Sequence, residues 1–277
     1  MNIYIPGTDE ANLFVQEKQY LMLIEIDRIC RLNHIPYFLC CGTLLGAIRH
    51  EGPIPWDDDL DVGMLRENYE LFLSVASNTI NEKYFVQTWE SDIHYALPHC
   101  KIRDINTHYI EKVSASSGCI DGISVDVMPF DRVPNSRFFQ YIHGHLLYDI
   151  FNMIKIKRGW KFIKENKVSR KKLLFYRYIS QIISEEKLIN IHNRISQFYN
   201  RSNKKYVSEV AGLDYFRFVE SRNNYLELVY AKYIGKTFPI PKAYDTVLKK
   251  TYGNYMEFPK YQDRKGQPGV EQIIDDE

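Results

Sequence analysis

Two hydrophobic rhythms alternate along the first part of the chain. Val15, Met22, Ile26 and Ile29 share one helical face and predict a helix over 11–33, ended by Asn33-His34 and Pro36. Tyr37 to Cys41 is short and wholly apolar, the mark of a strand buried within a sheet. Gly42-Thr43 then turns the chain into a brief helix, Leu44 to His50, closed by Glu51-Gly52-Pro53. An acidic strand over Asp59 to Val62 follows, then a helix from Glu67 to Asn78. Residues 84–89 and 97–103 read as strands. Ile123, Val125 and Val127 alternate with Ser124, Asp126 and Met128, a half-buried strand that Pro129 halts. From 137 to 199 the pattern is helical and rich in Lys and Arg. These elements predict an α+β fold, with one region over 1–135 and a mostly helical region over 136–277 packed on it across a soft boundary.

The length of 277 residues allows one large domain or two small ones, with room for a buried core. A net charge of +1 gives no bulk electrostatic reason to bind nucleic acid or an anionic membrane. With no run of 18 apolar residues and no signal-peptide pattern at Met1 to Pro6, a soluble, cytoplasmic protein is expected. Five cysteines (Cys30, Cys40, Cys41, Cys100, Cys119) without a CxxC pair read as buried free thiols and argue against a zinc site. One basic stretch runs through Lys155, Lys157, Arg158, Lys161, Lys164 and Lys167, and another is Arg170-Lys171-Lys172. Two readings stand for them: solvated helix faces, or a surface facing an anionic lipid or polysaccharide.

Against this even background, Asp57-Asp58-Asp59-Leu60-Asp61 stands out, framed by Pro53, Pro55 and Trp56 before it and Val62-Gly63 after. Carboxylates about 5 Å apart repel by roughly 3 kcal/mol at an effective dielectric near 20. The run is either a solvated acidic loop or a site for a divalent metal, Mg2+ or Mn2+. An EF-hand loop fails, because Val62 stands where Gly is required and Asn68 where Glu is required. On a strand, Asp59 and Asp61 would share one face, while Asp57 and Asp58 would orient the turn or bond outlying water. Asp126 supplies a third carboxylate from another strand, or closes a turn at its end. Three aspartates from two strands suit a pair of ions about 3.5–4 Å apart around a phosphoryl group. Asp131 reads as a turn residue.

Gly42-Thr43 lies where a strand meets a helix N-terminus, a place suited to phosphate. Thr43 would cap the helix or bond a phosphate oxygen. Arg49, His50, Lys101 and Arg103 are candidates to neutralise phosphates, or ordinary ion-pair partners. Lys101 and Arg103 alternate on one strand, so both can point into one cleft. Gly235-Lys236-Thr237 is not a P-loop, since Tyr230 occupies the earlier Gly position. His143 and His145 diverge on a helix, and no GxSxG is present.

The whole stretch from Cys41 to Met64, with Gly42-Thr43-Leu44-Leu45-Gly46 and Pro55-Trp56-Asp57-Asp58-Asp59-Leu60-Asp61-Val62-Gly63 inside it, closely resembles the signature of the LicD family of phosphotransferases. That family sits in the nucleotidyltransferase-fold superfamily, with fukutin-related proteins as distant members. The likeness extends to Lys101-Ile102-Arg103-Asp104 and Val125-Asp126-Val127-Met128-Pro129-Phe130-Asp131. It returns at Phe238-Pro239-Ile240-Pro241-Lys242 and Tyr252-Gly253-Asn254-Tyr255-Met256. It implies a nucleotidyltransferase-like mixed β-sheet flanked by helices, with the catalytic core in 1–135. It also implies transfer of phosphocholine or a phospho-polyol from a CDP-activated donor to a glycan, as in lipopolysaccharide or polysaccharide modification. The superfamily's Gly-Ser-like turn, Asp-x-Asp strand and later acidic residue carry over to Gly42-Thr43, Asp59/Asp61 and Asp126. Asn254 stands where relatives often have Asp and Met128 where an aromatic is common; both leave acceptor specificity open.

The expected activity is magnesium-dependent phosphoryl transfer. Asp59, Asp61 and Asp126 hold the ions, and Gly42, Thr43, Arg49, His50, Lys101 and Arg103 bind the donor diphosphate. An acceptor hydroxyl attacks the substituted phosphorus, Asp126 takes its proton, and nucleoside monophosphate leaves. Rival readings are a metal-dependent glycosyltransferase, which would release a diphosphate, a nucleotidyltransferase, which would release pyrophosphate, and an inactive binding module. Expected partners are CDP-choline or a CDP-polyol and a glycan or glycolipid, with peripheral contact at the inner membrane face through the basic helices and no nucleic acid. Choline calls for an aromatic cage, for which 21 Tyr and 15 Phe offer too many candidates.

Overall fold

A computed structural model of the chain describes residues 2–162, 168–209, 215–264, 266 and 269–276. After β1 (Asn2–Tyr4), helix α1 (Asp9–Leu32) opens at Thr8, whose hydroxyl accepts the Ala11 N–H, and carries Asp9 and Glu10 at its positive end. Its apolar stripe, including Val15, Met22, Ile26 and Ile29, is buried in the main core. Then come β2 (Phe38–Leu39), α2 (Cys41–His50), β3 (Asp61–Leu65), α3 (Arg66–Thr79), β4 (Tyr84–Gln87), β5 (Cys100–Asp104), β6 (Thr107–Glu111) and β7 (Ser124–Val133).

The main sheet runs β2-β3-β7-β5-β4, with β8 (Tyr206–Glu209) on the far half of β7 and β9 (Glu220–Ser221) beyond it. The β3–β7 pair is parallel and the other pairs are antiparallel, so the sheet is mixed and the fold α+β. Register sorts the two faces. Val62, Val127 and Cys100 make one buried row, and Val125, Ile102 and Val86 another, on the face covered by α1 and α3. The opposite face carries Asp61, Asp126 and Lys101 side by side.

Pro129 does not halt its strand. Asp126 donates its N–H to Leu60 on the β3 side, so N–H groups of odd-numbered residues would face the other side. There β7 changes partner, from β5 (paired through Val127) to β8 (paired from Phe130). Pro129 falls in the gap, where no ladder donor is required. Asp131 is accordingly a strand residue, fully buried and paired with Arg66 at 2.5 Å, and not part of a turn.

The helical stretch expected over 137–199 is divided into α4 (Arg137–Lys157), α5 (Arg170–Ile182) and α6 (Glu185–Ser196). Beyond it the chain returns to strands: the hairpin β10 (Leu228–Tyr233) and β11 (Lys236–Pro241), then α7 (Tyr244–Tyr252) and β12 (Val270–Asp275), which lies between β1 and β6. Of the first basic stretch, Lys155 and Arg158 are buried; Arg158 donates to the Trp89, Asp92 and Tyr95 carbonyls and to Glu185. Lys164 and Lys167 lie outside the described residues. Among the described residues no helix is long and apolar enough to cross a membrane. All five cysteines are free.

Candidate active site

Residues 57–60 follow a turn at Pro55-Trp56 as irregular backbone leading into β3, so the strand begins at Asp61 and Asp59 lies just before it instead of on it as expected. Two buried amides on α1 hold this segment. Gln16 Nε2 donates to the carbonyls of Ile54 (3.0 Å) and Asp57 (2.7 Å), and Gln19 Nε2 to those of Asp58 (2.7 Å) and Ser124 (3.1 Å). Tyr109 donates its hydroxyl to Asp58 Oδ2 at 2.6 Å. Carboxylate oxygens of Asp57, Asp58 and Asp59 lie within 4.8 Å of one another. At that separation each ionised pair costs about 3.5 kcal/mol at an effective dielectric of 20. Asp57 and Asp58, expected to orient the turn or bond outlying water, are thus part of the cluster.

Burial, with repulsion from Asp58 added to it, pushes Asp57 up to about 6. Asp59 and Asp61 are also held well above the usual carboxylate range, first by burial and then by the neighbouring aspartates, Asp126 included. Asp61 and Asp126 are register partners on adjacent strands, so the structure brings the three aspartates together. Asp126 differs from the others. Against burial, which opposes its ionisation, Lys101 Nζ (2.8 Å from Oδ1) and His99 Nε2 (3.0 Å from Oδ2) hold it below the usual range. Both its oxygens are engaged, and a carboxylate so stabilised is a weak proton acceptor.

The remaining residues separate into two groups. Gly42 and Thr43 lie in the first turn of α2, beside the acids. Thr43 does not cap the helix; its buried Oγ1 accepts the Asp61 N–H at 2.8 Å and pins the start of β3. Lys101 reaches the site. Arg103 lies on the same sheet face but is 2% exposed, donating to Gln87 Oε1 (2.7 Å) and the Gly122 carbonyl (2.5 Å). His50 faces Trp56 and Phe258 and lines a neighbouring aromatic cleft, while Arg49 donates to the Tyr255 and Glu257 carbonyls and packs on the Phe258 ring. Cys40 and Cys41 adjoin the site. Burial raises the Cys40 thiol; a hydrogen bond between the two and burial raise Cys41, so neither is a ready nucleophile.

His99, Gln16 and Gln19 were not singled out by sequence. His99 shares the alternation of Lys101 and Arg103, and the two glutamines interrupt the apolar face of α1 three residues apart.

Comparison with known proteins gives one family model and three relatives. A family model described as LicD/FKTN/FKRP, nucleotidyltransferase domain, matches residues 34–144, which contain every aspartate of the cluster. The lipopolysaccharide cholinephosphotransferase LicD of Haemophilus influenzae is 29% identical over 265 residues, 91% of this chain and 95% of that protein. An uncharacterized protein of Rickettsia prowazekii is 45% identical over 49 residues, and one of Rickettsia typhi is 43% identical over 58 residues. These two alignments cover 18% and 20% of this chain and 18% and 19% of the respective relatives.

Proposed function

We propose that this chain, which belongs to the LicD family, moves phosphocholine from CDP-choline to a hydroxyl of a lipopolysaccharide-type glycan with the help of a divalent cation. The observation that carries this reading is the row Asp61–Asp126–Lys101 across three strands, with Asp57, Asp58 and Asp59 clustered beside it. It lies inside the family match, and the full-length relative bears the name of a cholinephosphotransferase.

The residues fit a divalent cation. Their donors are hard carboxylate oxygens, and on Asp57, Asp59 and Asp61 burial and mutual repulsion favour the protonated form, a state a cation of higher charge would relieve. Asp57, Asp59 and Asp61 would hold it, with Asp126 completing the set. Bound there, magnesium or manganese would supply charge neutralisation for the phosphates.

The chain's own residues do the rest. Lys101 places a cation beside Asp126, where negative charge builds on the transferring phosphoryl group. Thr43 and the two glutamines keep the carboxylates in place without contacting substrate. The acceptor would approach from the cleft of about 830 Å3 that contains Arg66, Arg132, Arg194, Arg201 and Arg222, together with Asn193. A second groove shares Arg66 and Asn193 with it and is also lined by His99, whose Nε2 lies 3.0 Å from Asp126 Oδ2. Guanidinium and amide groups suit a glycan that carries phosphate or carboxylate.

The test is incubation with CDP-choline, CDP-glycerol and CDP-ribitol, with and without magnesium, in the presence of lipopolysaccharide. CMP release from CDP-choline, dependent on magnesium and absent from Asp59→Asn and Asp61→Asn, is the expected result. Wild-type rates in both variants would overturn the site. Release of a nucleoside diphosphate from sugar nucleotides, or of pyrophosphate from a nucleoside triphosphate, would overturn the reaction.

A further inference from the structure

Trp56 immediately precedes the acidic cluster, and its ring faces a second cavity of about 680 Å3 that also contains His50, Phe258, Tyr261, Asp58 and Arg264. The aromatic groups meet at angles that open a box. His50 stands edge-on to Trp56 at 6.1 Å and to Phe258 at 5.4 Å, and Trp56 and Phe258 are tilted at 6.3 Å. A cation is already seated there. The Arg264 guanidinium lies 4.9 Å from the Trp56 ring centre, 5.5 Å from that of Phe258 and 5.9 Å from that of Tyr261.

We propose that this box is the recognition site for a quaternary ammonium group, and that Arg264 is a built-in competitor for it. The proposal deepens the phosphocholine reading above and rests on it for the identity of the natural ligand.

Four observations carry it. Arg264 Nε donates to the Pro259 carbonyl at 3.0 Å, but among the described residues the guanidinium forms no ion pair; aromatic faces hold its charge. A trimethylammonium group has no N–H to donate and is bound by ring faces in this manner. His50 presents a neutral wall: burial first, and then Arg49, lower its affinity for a proton. Its Nε2 is buried with no hydrogen-bond partner among the described residues. Arg49 sits 5.0 Å from the Phe258 ring centre, and its grip on the Tyr255 and Glu257 carbonyls fixes the segment that carries that ring. Asp58 belongs both to this cavity and to the acidic cluster, so the box opens beside the carboxylates that would face the donor phosphates. A phosphocholine group could then reach both at once.

The test is a binding titration of the full chain with choline and with its uncharged isostere 3,3-dimethylbutan-1-ol, followed by calorimetry and tryptophan fluorescence. Choline should bind at least about tenfold more tightly than the isostere, from the face-on attraction of the cation. Phe258→Leu should weaken choline about tenfold, and Arg264→Gln should tighten it severalfold by removing the competitor. Equal affinity for the isostere, wild-type binding by Phe258→Leu, or weaker binding by Arg264→Gln would overturn the box. CMP release from CDP-choline by Phe258→Leu at an unchanged KM also rules against the box, while leaving the transferase reading intact. Choline binding of the expected pattern without turnover of CDP-choline supports the box and counts against that reading.

Discussion

A Cβ atom added to Gly42 would lie 2.7 Å from Asp57 Oδ2. The glycine in the first turn of α2 is therefore set by the carboxylate facing it. Its backbone is not left-handed, so alanine is conformationally welcome, and a helix favours alanine by about 1 kcal/mol over glycine. Stability and activity should part company in Gly42→Ala. Its melting temperature should stay level or rise slightly, while turnover falls at least about tenfold because Asp57 is displaced, roughly 1.4 kcal/mol in the barrier. Calorimetry paired with CMP-release kinetics checks this; unchanged kcat would show that Asp57 has no need of its place.

The clustered carboxylates give the protein an unusual response to pH. A carboxylate raised on folding binds protons more readily in the folded than in the unfolded chain, so stability falls as pH rises through the window between the two values. For Asp57 that window runs from the ordinary Asp value near 3.9 to about 6. Asp57→Asn should therefore be the more stable protein at pH 7.5, on the order of 2 kcal/mol, with the gain vanishing below pH 4. Magnesium should raise the melting temperature of the wild type at pH 7.5 and have little effect at pH 5, because protons compete for the same oxygens. Denaturant midpoints at several pH values, with and without magnesium, decide the matter. A wild type that outlasts Asp57→Asn at pH 7.5 without magnesium would contradict it.

How much of this was legible beforehand depended on whether the signal was local. The helical face of α1 and the alternation of Val125 and Val127 follow from side-chain period, and the sequence placed both correctly. The convergence of Asp61 and Asp126 was inferred from their strands and emerged as a register pair. Pairing context was not local. Pro129 looked like a stop because nothing in the sequence says that β7 exchanges β5 for β8 at that point. Arg49, His50 and Lys101 read alike as phosphate ligands, yet the return of the chain at 255–258 draws the first two toward the aromatic cleft. Arg103 shared the correct face but found Gln87 before it found solvent.

The arginine cleft makes a prediction about the acceptor alone. Arg132 is half-buried, and burial, with repulsion from Arg222 added to it, makes its proton easier to lose than usual. An anion placed between them would relieve that repulsion; Glu67, bonded to Arg222 at 2.7 Å, does so from one side. Arg132→Gln combined with Arg222→Gln should raise KM for lipopolysaccharide about tenfold, near 1.4 kcal/mol, and leave KM for CDP-choline unchanged. The wild type should show a similar rise in acceptor KM at high salt, which screens exposed charge, and the double variant a smaller one. Equal effects on donor and acceptor KM would place the cleft elsewhere in the reaction.

His192 makes the fold sensitive to acid. It is 1% exposed, stands edge-on to Trp89 at 5.2 Å, and both ring nitrogens lack a hydrogen-bond partner among the described residues. Burial first, and then the Arg66 and His143 charges, push its pKa down to about 3. The unfolded chain takes up a proton at this residue below pH 6.5 while the folded chain refuses it until about pH 3. Stability is therefore complete above pH 6.5 and drains away as pH falls through that window, at up to about 1.4 kcal/mol per pH unit. His192→Leu fills the same apolar site without a titrating group. The variant should match or exceed the wild type at pH 7.5, and its advantage should widen steadily toward pH 4. Urea midpoints measured in parallel across that range test the assignment, and parallel losses in the two proteins would mean that another group governs the acid transition.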